Sequence, residues 1–148
     1  MPRPHQPAAP PASPDEIEQQ FYEALQQGDI DKLMAVWSDD DDIACVHPGG
    51  PRLIGAVAIR AAFEAIFANG PVDARPSQAR RLQTHGCAVH SVVEEVHVVT
   101  PDGPRTAFVV ATNVYTLGAL GWRLVVHHAS PGSALEAQPM PGPGSVLH

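Results

Sequence analysis

Apolar positions fall at helical spacing through the first half of the chain and at strand spacing through the second. Ser13, Pro14, Asp15 and Glu16 read as an N-cap, a proline at the first helical position and a glutamate closing a capping box. Ile17, Phe21, Ala24 and Leu25 then share one helix face, and Gly28 ends it. Asp29 can cap a second, short helix with Leu33, Met34 and Trp37 along one side. The acidic run Asp39–Asp42 opposes a helix dipole at that end, so it marks a stop and faces water. Ile43–His47 is short and apolar, as a strand would be, and Pro48, Gly49, Gly50 and Pro51 break it. Ala56–Ala68 predicts a third helix, with Ile59, Phe63, Ile66 and Phe67 on one side and Asn69-Gly70-Pro71 as its stop.

Four strands are expected after that, Ala79–Thr84, Ala88–Val99, Thr106–Leu117 and Trp122–Ala129. Short turns at His85-Gly86, Pro101–Pro104 and Gly118–Gly121 join them into an antiparallel meander. Helices first and a sheet afterwards is an α+β pattern. Proline crowds both ends, from Pro2 to Pro14 and from Pro131 to Pro143. Residues 1–12 and 132–148 are therefore expected as flexible tails around one domain, 13–131.

The chain has 148 residues and a net charge of −7, and Lys32 is the only lysine among nine basic residues. That balance argues against nucleic acid and against an anionic membrane surface. No apolar run approaches the roughly 20 residues of a membrane-spanning helix. No apolar stretch of about 7–15 residues follows Met1, so no secretory signal and a cytoplasmic protein are expected. Cys45 and Cys87 read as two reduced thiols. Eight histidines raise the question of a metal, but no H-x-H pair and no H-E-x-x-H helix occurs, so no metal site and no cofactor are expected. Phosphate-binding glycine loops and a nucleophile elbow are also missing from the sequence.

Three local patterns carry a resemblance. Leu25-Gln26-Gln27-Gly28-Asp29-Ile30-Asp31 leaves the first helix, Leu53-Ile54-Gly55 with Ala58-Ile59-Arg60 leads into the third, and the run from Gly121 to Ser130 sets a tryptophan six and eight residues before His128 and Ser130. In this order they resemble the SnoaL-like, ketosteroid-isomerase-like group of the nuclear transport factor two superfamily, over about residues 13–131. The resemblance implies a cystatin-like cone, with three N-terminal helices packed in a curved, mainly antiparallel sheet. It also implies an apolar pocket at the cone's mouth and a second subunit on the sheet's outer face. The fold hosts isomerases, dehydratases, cyclases and plain binding domains, so it does not fix an activity.

Strand parity selects interior candidates. On the last strand Trp122, Leu124, Val126, His128 and Ser130 share a face and Arg123, Val125 and His127 the other, which predicts the first set, with His128, inward and His127 outward. On the strand before it, Val109, Ala111, Asn113, Tyr115 and Leu117 are expected inside. Pairing Thr100 with Arg105 puts His90, Val92 and Glu94 inside, and a slip of one residue exchanges them for Ser91, Val93 and Glu95. Phe21, Trp37, Phe63 and Phe67 are expected as core that also lines the pocket with His90, Asn113 and Tyr115.

Steroid isomerases of the superfamily use an aspartate base before a proline, with a tyrosine and a protonated aspartic acid. Here those positions fall on His47, on Phe21 and near Asn113, so that mechanism is not implied. Tyr22 sits about 100° around the helix from Phe21 and does not replace the missing tyrosine. His47 and His128 remain the catalytic candidates, because an imidazole titrates near neutrality. Two functions stay open: proton-transfer chemistry on a small, largely apolar organic molecule, or a non-catalytic ligand-binding or dimerising module. A homodimer is expected through Val110, Thr112, Val114, Val125 and His127, which are too apolar to face water.

Overall fold

A computed structural model of the chain describes residues 13–138. The tail expected at 1–12, and residues 139–148 of the one expected at 132–148, lie outside the described residues. Helix α1 (Pro14–Gln27) starts as read: Ser13 Oγ accepts from the Glu16 N–H at 3.3 Å. Gly28 closes it in the left-handed region at φ 65°, where a side chain would be strained. Asp29 caps α2 (Ile30–Ala35) through the Lys32 N–H at 3.0 Å, and α3 spans Ala56–Phe67.

Six strands follow or interleave: β1 (Ala44–Val46), β2 (Arg52–Ile54), β3 (Asp73–Gln83), β4 (Cys87–Thr100), β5 (Gly103–Gly118) and β6 (Gly121–Pro131). They form one sheet in the order β2-β1-β6-β5-β4-β3, antiparallel except where β1 runs parallel to β6. The core lies between the helices and the sheet's inner face, with Ile17, Phe21, Leu33, Ile43, Ile59, Phe63, Tyr115 and Leu124 almost fully buried.

Two strands depart from expectation. β3 begins at Asp73, six residues before the expected start, and runs through Pro76. It is an edge strand, where a missing N–H costs no ladder bond. β2 is three residues long, between Pro51 and Gly55, and is too short to show a period. Thr100 pairs with Gly103 rather than Arg105, a shift of two that preserves parity, so His90, Val92 and Glu94 face inward.

β6 changes the assignment of its histidines. Val114 pairs with Val126, but Tyr115 pairs with Leu124, leaving Val125 as an extra residue in a bulge. The alternation flips there. Trp122 and Leu124 face the core before the bulge, and His127 and Ala129 face it afterwards. His128 and Ser130 are exposed on the outer face, so the inward placement of His128 is corrected to His127. The outer face therefore carries Val110, Thr112, Val114, Val126 and His128, while Val125 packs against the core. Leu117, expected inside, lies past the helices and is exposed. Residues 134–137, expected within a tail, form a short 3-10 turn against β4 and β5, where Gln78 Nε2 donates to the Ala137 carbonyl at 3.3 Å.

Candidate functional site: a buried carboxyl pair behind a groove

α1 lies inside the curve of the sheet, so its flank beside the Ile17–Phe21 face is buried too. Glu18 and Tyr22, four residues apart and stacked on that flank, meet the inward residues of β4, β5 and β6. Tyr115 Oη donates to Glu18 Oε2 at 2.7 Å, and the His90 ring meets the same oxygen through Nδ1 at 2.6 Å. Among the described residues no donor reaches Glu18 Oε1.

A second chain of bonds runs beside the first. Tyr22 Oη donates to Glu94 Oε2 at 2.7 Å, and Asn113 Nδ2 donates to Tyr22 Oη at 3.1 Å. Asn113 Oδ1 in turn accepts from His127 Nδ1 at 2.6 Å. All three donors point toward Glu94. Its carboxyl is pushed up to about 7 by burial, with the Glu18 charge adding to the rise and the Tyr22 bond opposing it. Burial, then Glu94, raises the Tyr22 phenol well above its usual value, and burial and Glu18 do the same to Tyr115. His127 is pushed down to about 3 by burial, with His47 and His128 adding, so its imidazole is neutral.

Glu18 and Tyr22 also form the floor of an open groove of about 480 Å³ between α1 and β3. Asp15, Gln19, Glu23 and Gln26 line its helix side, and Pro76 and Arg81 its strand side. Arg81 Nε is bound to Asp15 at 2.8 Å, and Glu23 is bound to Lys32 at 3.0 Å. The groove thus reaches Glu18 and Tyr22 from the solvent side, with Glu94 behind the Tyr22 hydroxyl.

The sequence-derived candidates divide between this cluster and its surroundings. His90, Asn113 and Tyr115 are buried within it, as expected. Phe21 and Phe63 are close-packed core, with rings 6.3 Å apart, and Phe67 packs at the edge of the core against Phe63. Trp37 lines a different cleft of about 350 Å³, beside Met34, Arg123 and the 118–121 turn. Its Nε1–H is buried without an acceptor among the described residues. His47 is half-buried: its ring meets Phe63 edge-on at 4.8 Å, and its Nε2 lies 3.7 Å from Cys45 Sγ. Burial lowers its basicity and lifts the Cys45 thiol to about 12. The second imidazole beside His47 is His127, with ring centroids 6.5 Å apart, not His128. Among the described residues no group of three or more His, Cys, Asp or Glu side chains could hold a metal ion, and no helix is long and apolar enough to cross a membrane.

Sequence reasoning missed Glu18, set Tyr22 aside and left Glu94 open. The usable signal was paired spacing: Glu18 and Tyr22 at i, i+4 on the helix, and His90 and Glu94 at even separation on one strand face.

A family model for the SnoaL-like domain matches residues 15–134. The chain belongs to the SnoaL-like family. Solved relatives agree with a SnoaL-like, cystatin-like cone. A "putative calcium/calmodulin-dependent protein kinase type II association domain" from Thiobacillus denitrificans is 34% identical, covers 86% of this chain and 100% of its own, and superposes with a TM-score of 0.75. A "putative dehydratase" of the NTF2-like family from Streptomyces avermitilis is 28% identical over 81% of this chain and 94% of its own, at a TM-score of 0.73. The CaMKII hub of S. rosetta is 25% identical over 82% of this chain and 99% of its own, at 0.65. None of the curated proteins matches this SnoaL-like chain.

Proposed function

We propose that this SnoaL-like domain binds a small organic molecule in the α1/β3 groove and moves a proton on it, as an isomerase or dehydratase does. The observation that carries the reading is Glu94, a buried carboxyl held near 7 against a tyrosine hydroxyl that floors the groove. A carboxyl that keeps its proton near neutrality can act as the acid beside a second carboxyl that faces the ligand. Glu18 is the base, oriented by Tyr115 and His90 through Oε2 and free of protein donors at Oε1. Glu94 in its acid form donates to Tyr22 Oη, and Tyr22 passes its own hydroxyl proton to the substrate oxygen. Asn113 steadies the oxygen as that proton leaves. Only Glu18 and Tyr22 touch substrate; Glu94 and Asn113 act through Tyr22. The groove sets charged and amide side chains among a larger share of apolar surface, so its ligand carries polar groups on a largely apolar frame. His127 serves this reading only by holding the Asn113 carbonyl, and His47 has no part in it.

The test uses 4-hydroxybutan-2-one in D2O, followed by proton NMR. Base attack exchanges the hydrogens beside the carbonyl, and protonation of the hydroxyl releases water to give butenone. Glu18→Gln and Tyr22→Phe should each lower the rate by about 10²–10⁴-fold, the usual share of general acid–base catalysis. The rate should fall as pH rises past about 7, where Glu94 loses its proton. Exchange no faster than buffer, or unchanged in both variants, would sink the reading.

A second reading, an assembly module, has its own support. The relatives named as an association domain and a hub align over all or nearly all of their length. The outer face of β5 and β6 also offers Val110, Val114 and Val126 in a row. Self-association through that face is compatible with chemistry in the groove, because the two lie on opposite sides of the sheet.

A further inference from the structure

We infer that the cleft between the end of α2 and the β5–β6 turn is a ligand site of its own, which takes the carboxylate of a small organic acid against Trp37 and Arg123. It is built from other elements than the α1/β3 groove and does not depend on what that groove does. Trp37 walls this cleft of about 350 Å³, within the roughly 300–1,000 Å³ of small-molecule sites. The residue is 5% exposed, and its buried Nε1–H has no acceptor among the described residues. An indole N–H can only donate, so the fold leaves this bond to another molecule. A buried donor without an acceptor costs stability, and a ligand oxygen recovers it.

Arg123 selects an anionic oxygen. Arg60, Arg75, Arg81 and Arg105 are paired with carboxylates, and Arg52 and Arg80 are exposed. Arg123 is half-buried and lines the cleft. Its Nη1 donates to the Trp122 carbonyl at 2.8 Å, and no carboxylate pairs with it among the described residues. Ser38 Oγ accepts from the Asp40 N–H at 3.1 Å, which leaves its own proton to donate into the same cleft. A carboxylate bonds such donors more strongly than a neutral oxygen does. Asp39 is the carboxylate in the lining, but it is exposed, where water screens its charge. Met34 and Leu120 add apolar wall, and Leu120 is 62% exposed at the turn, so a short alkyl chain behind the carboxylate would cover it.

The experiment titrates the intact, nitrogen-15-labelled chain with three probes of one shape, pentanoate, pentanamide and pentylammonium, and follows backbone and indole N–H signals by NMR. Pentanoate should saturate, move the Trp37 indole signal, and group its backbone shifts at residues 34–39 and 116–123. Pentanamide should bind roughly tenfold more weakly or worse, and pentylammonium should not saturate. Trp37→Phe keeps the packed ring, removes the donor and identifies the indole signal by its loss. It should weaken pentanoate by roughly tenfold or more. Arg123→Gln, outside the core, should abolish the preference for pentanoate over pentanamide, so the test survives if Trp37→Phe does not fold. Equal binding of the three probes, an indole signal that stays in place, or shifts confined to residues 15–26 and 76–81 would overturn the inference. So would a preference for pentanoate that persists in Arg123→Gln.

Discussion

His127 Nδ1 and Asn113 Oδ1 face each other across β5 and β6 at 2.6 Å, fully inside the cone. This contact orients the whole chain of bonds behind it. A neutral imidazole that donates from Nδ1 turns the Asn113 carbonyl toward itself and its amide toward Tyr22, and Tyr22 then has only Glu94 to donate to.

Asn113→Leu should therefore cost more than one hydrogen bond. It leaves the His127 N–H and one acceptor site of Tyr22 buried and unmatched, at about 1–3 kcal/mol each. A loss of roughly 2–5 kcal/mol in urea unfolding is expected. A loss below about 1 kcal/mol would mean that water replaces the amide.

The two shifted groups predict a stability profile with a flat centre. Glu94 is raised from 4.5 to about 7 in the folded protein, so the fold holds a proton that the unfolded chain releases, and stability falls as pH rises from 4.5 to 7. His127 is lowered from 6.5 to about 3, so the unfolded chain binds a proton that the fold refuses, and stability falls as pH drops from 6.5 to 3. Between 4.5 and 6.5 the slopes oppose each other. Glu94→Gln should unmask the histidine slope, with stability rising on the order of 1 kcal/mol per pH unit across that window. Thermal melts of both proteins from pH 4 to 8 check this, and parallel profiles would contradict it.

The adjacent histidines should respond differently to the same change. His127→Ala empties a fully buried position and orphans Asn113 Oδ1, at a cost of about 2–4 kcal/mol. His128→Ala, on the exposed face, should stay within about 0.5 kcal/mol of wild type. Denaturation midpoints measured side by side decide which imidazole is inside.

If the outer face joins two copies, Val114→Lys and Val126→Lys should shift the mass seen by light scattering at micromolar concentration from dimer or larger to monomer. Neither side chain faces the core, so the melting temperature of the monomer should change little. A wild-type chain that is already monomeric would remove the assembly reading.

Much of the cone was legible because its signals are local. Ser13, Gly28 and Asp29 punctuate the helices through their own backbone chemistry, and Asn113 and Tyr115 kept the parity of an uninterrupted strand. The site was less legible for two physical reasons. α1 is wrapped by the sheet, so a flank that looks polar in the sequence is interior, and Glu18 and Tyr22 are buried on it. The reversal between His127 and His128 comes from one unpaired residue, Val125, which has no distinctive side chain and whose position depends on how β5 and β6 register.

That unpaired residue sets the frame in which β6 is read. Deleting Val125 would leave His127 opposite Asn113, because Val126 would then follow Leu124 in register. Were Val125 to pair with Val114 instead, every later residue would step by one, Val126 would face Asn113, and His128 and Ser130 would turn inward. The Asn113 carbonyl would then lose its imidazole donor, so the innermost bond of the cluster holds the bulge in place as much as the bulge positions the bond.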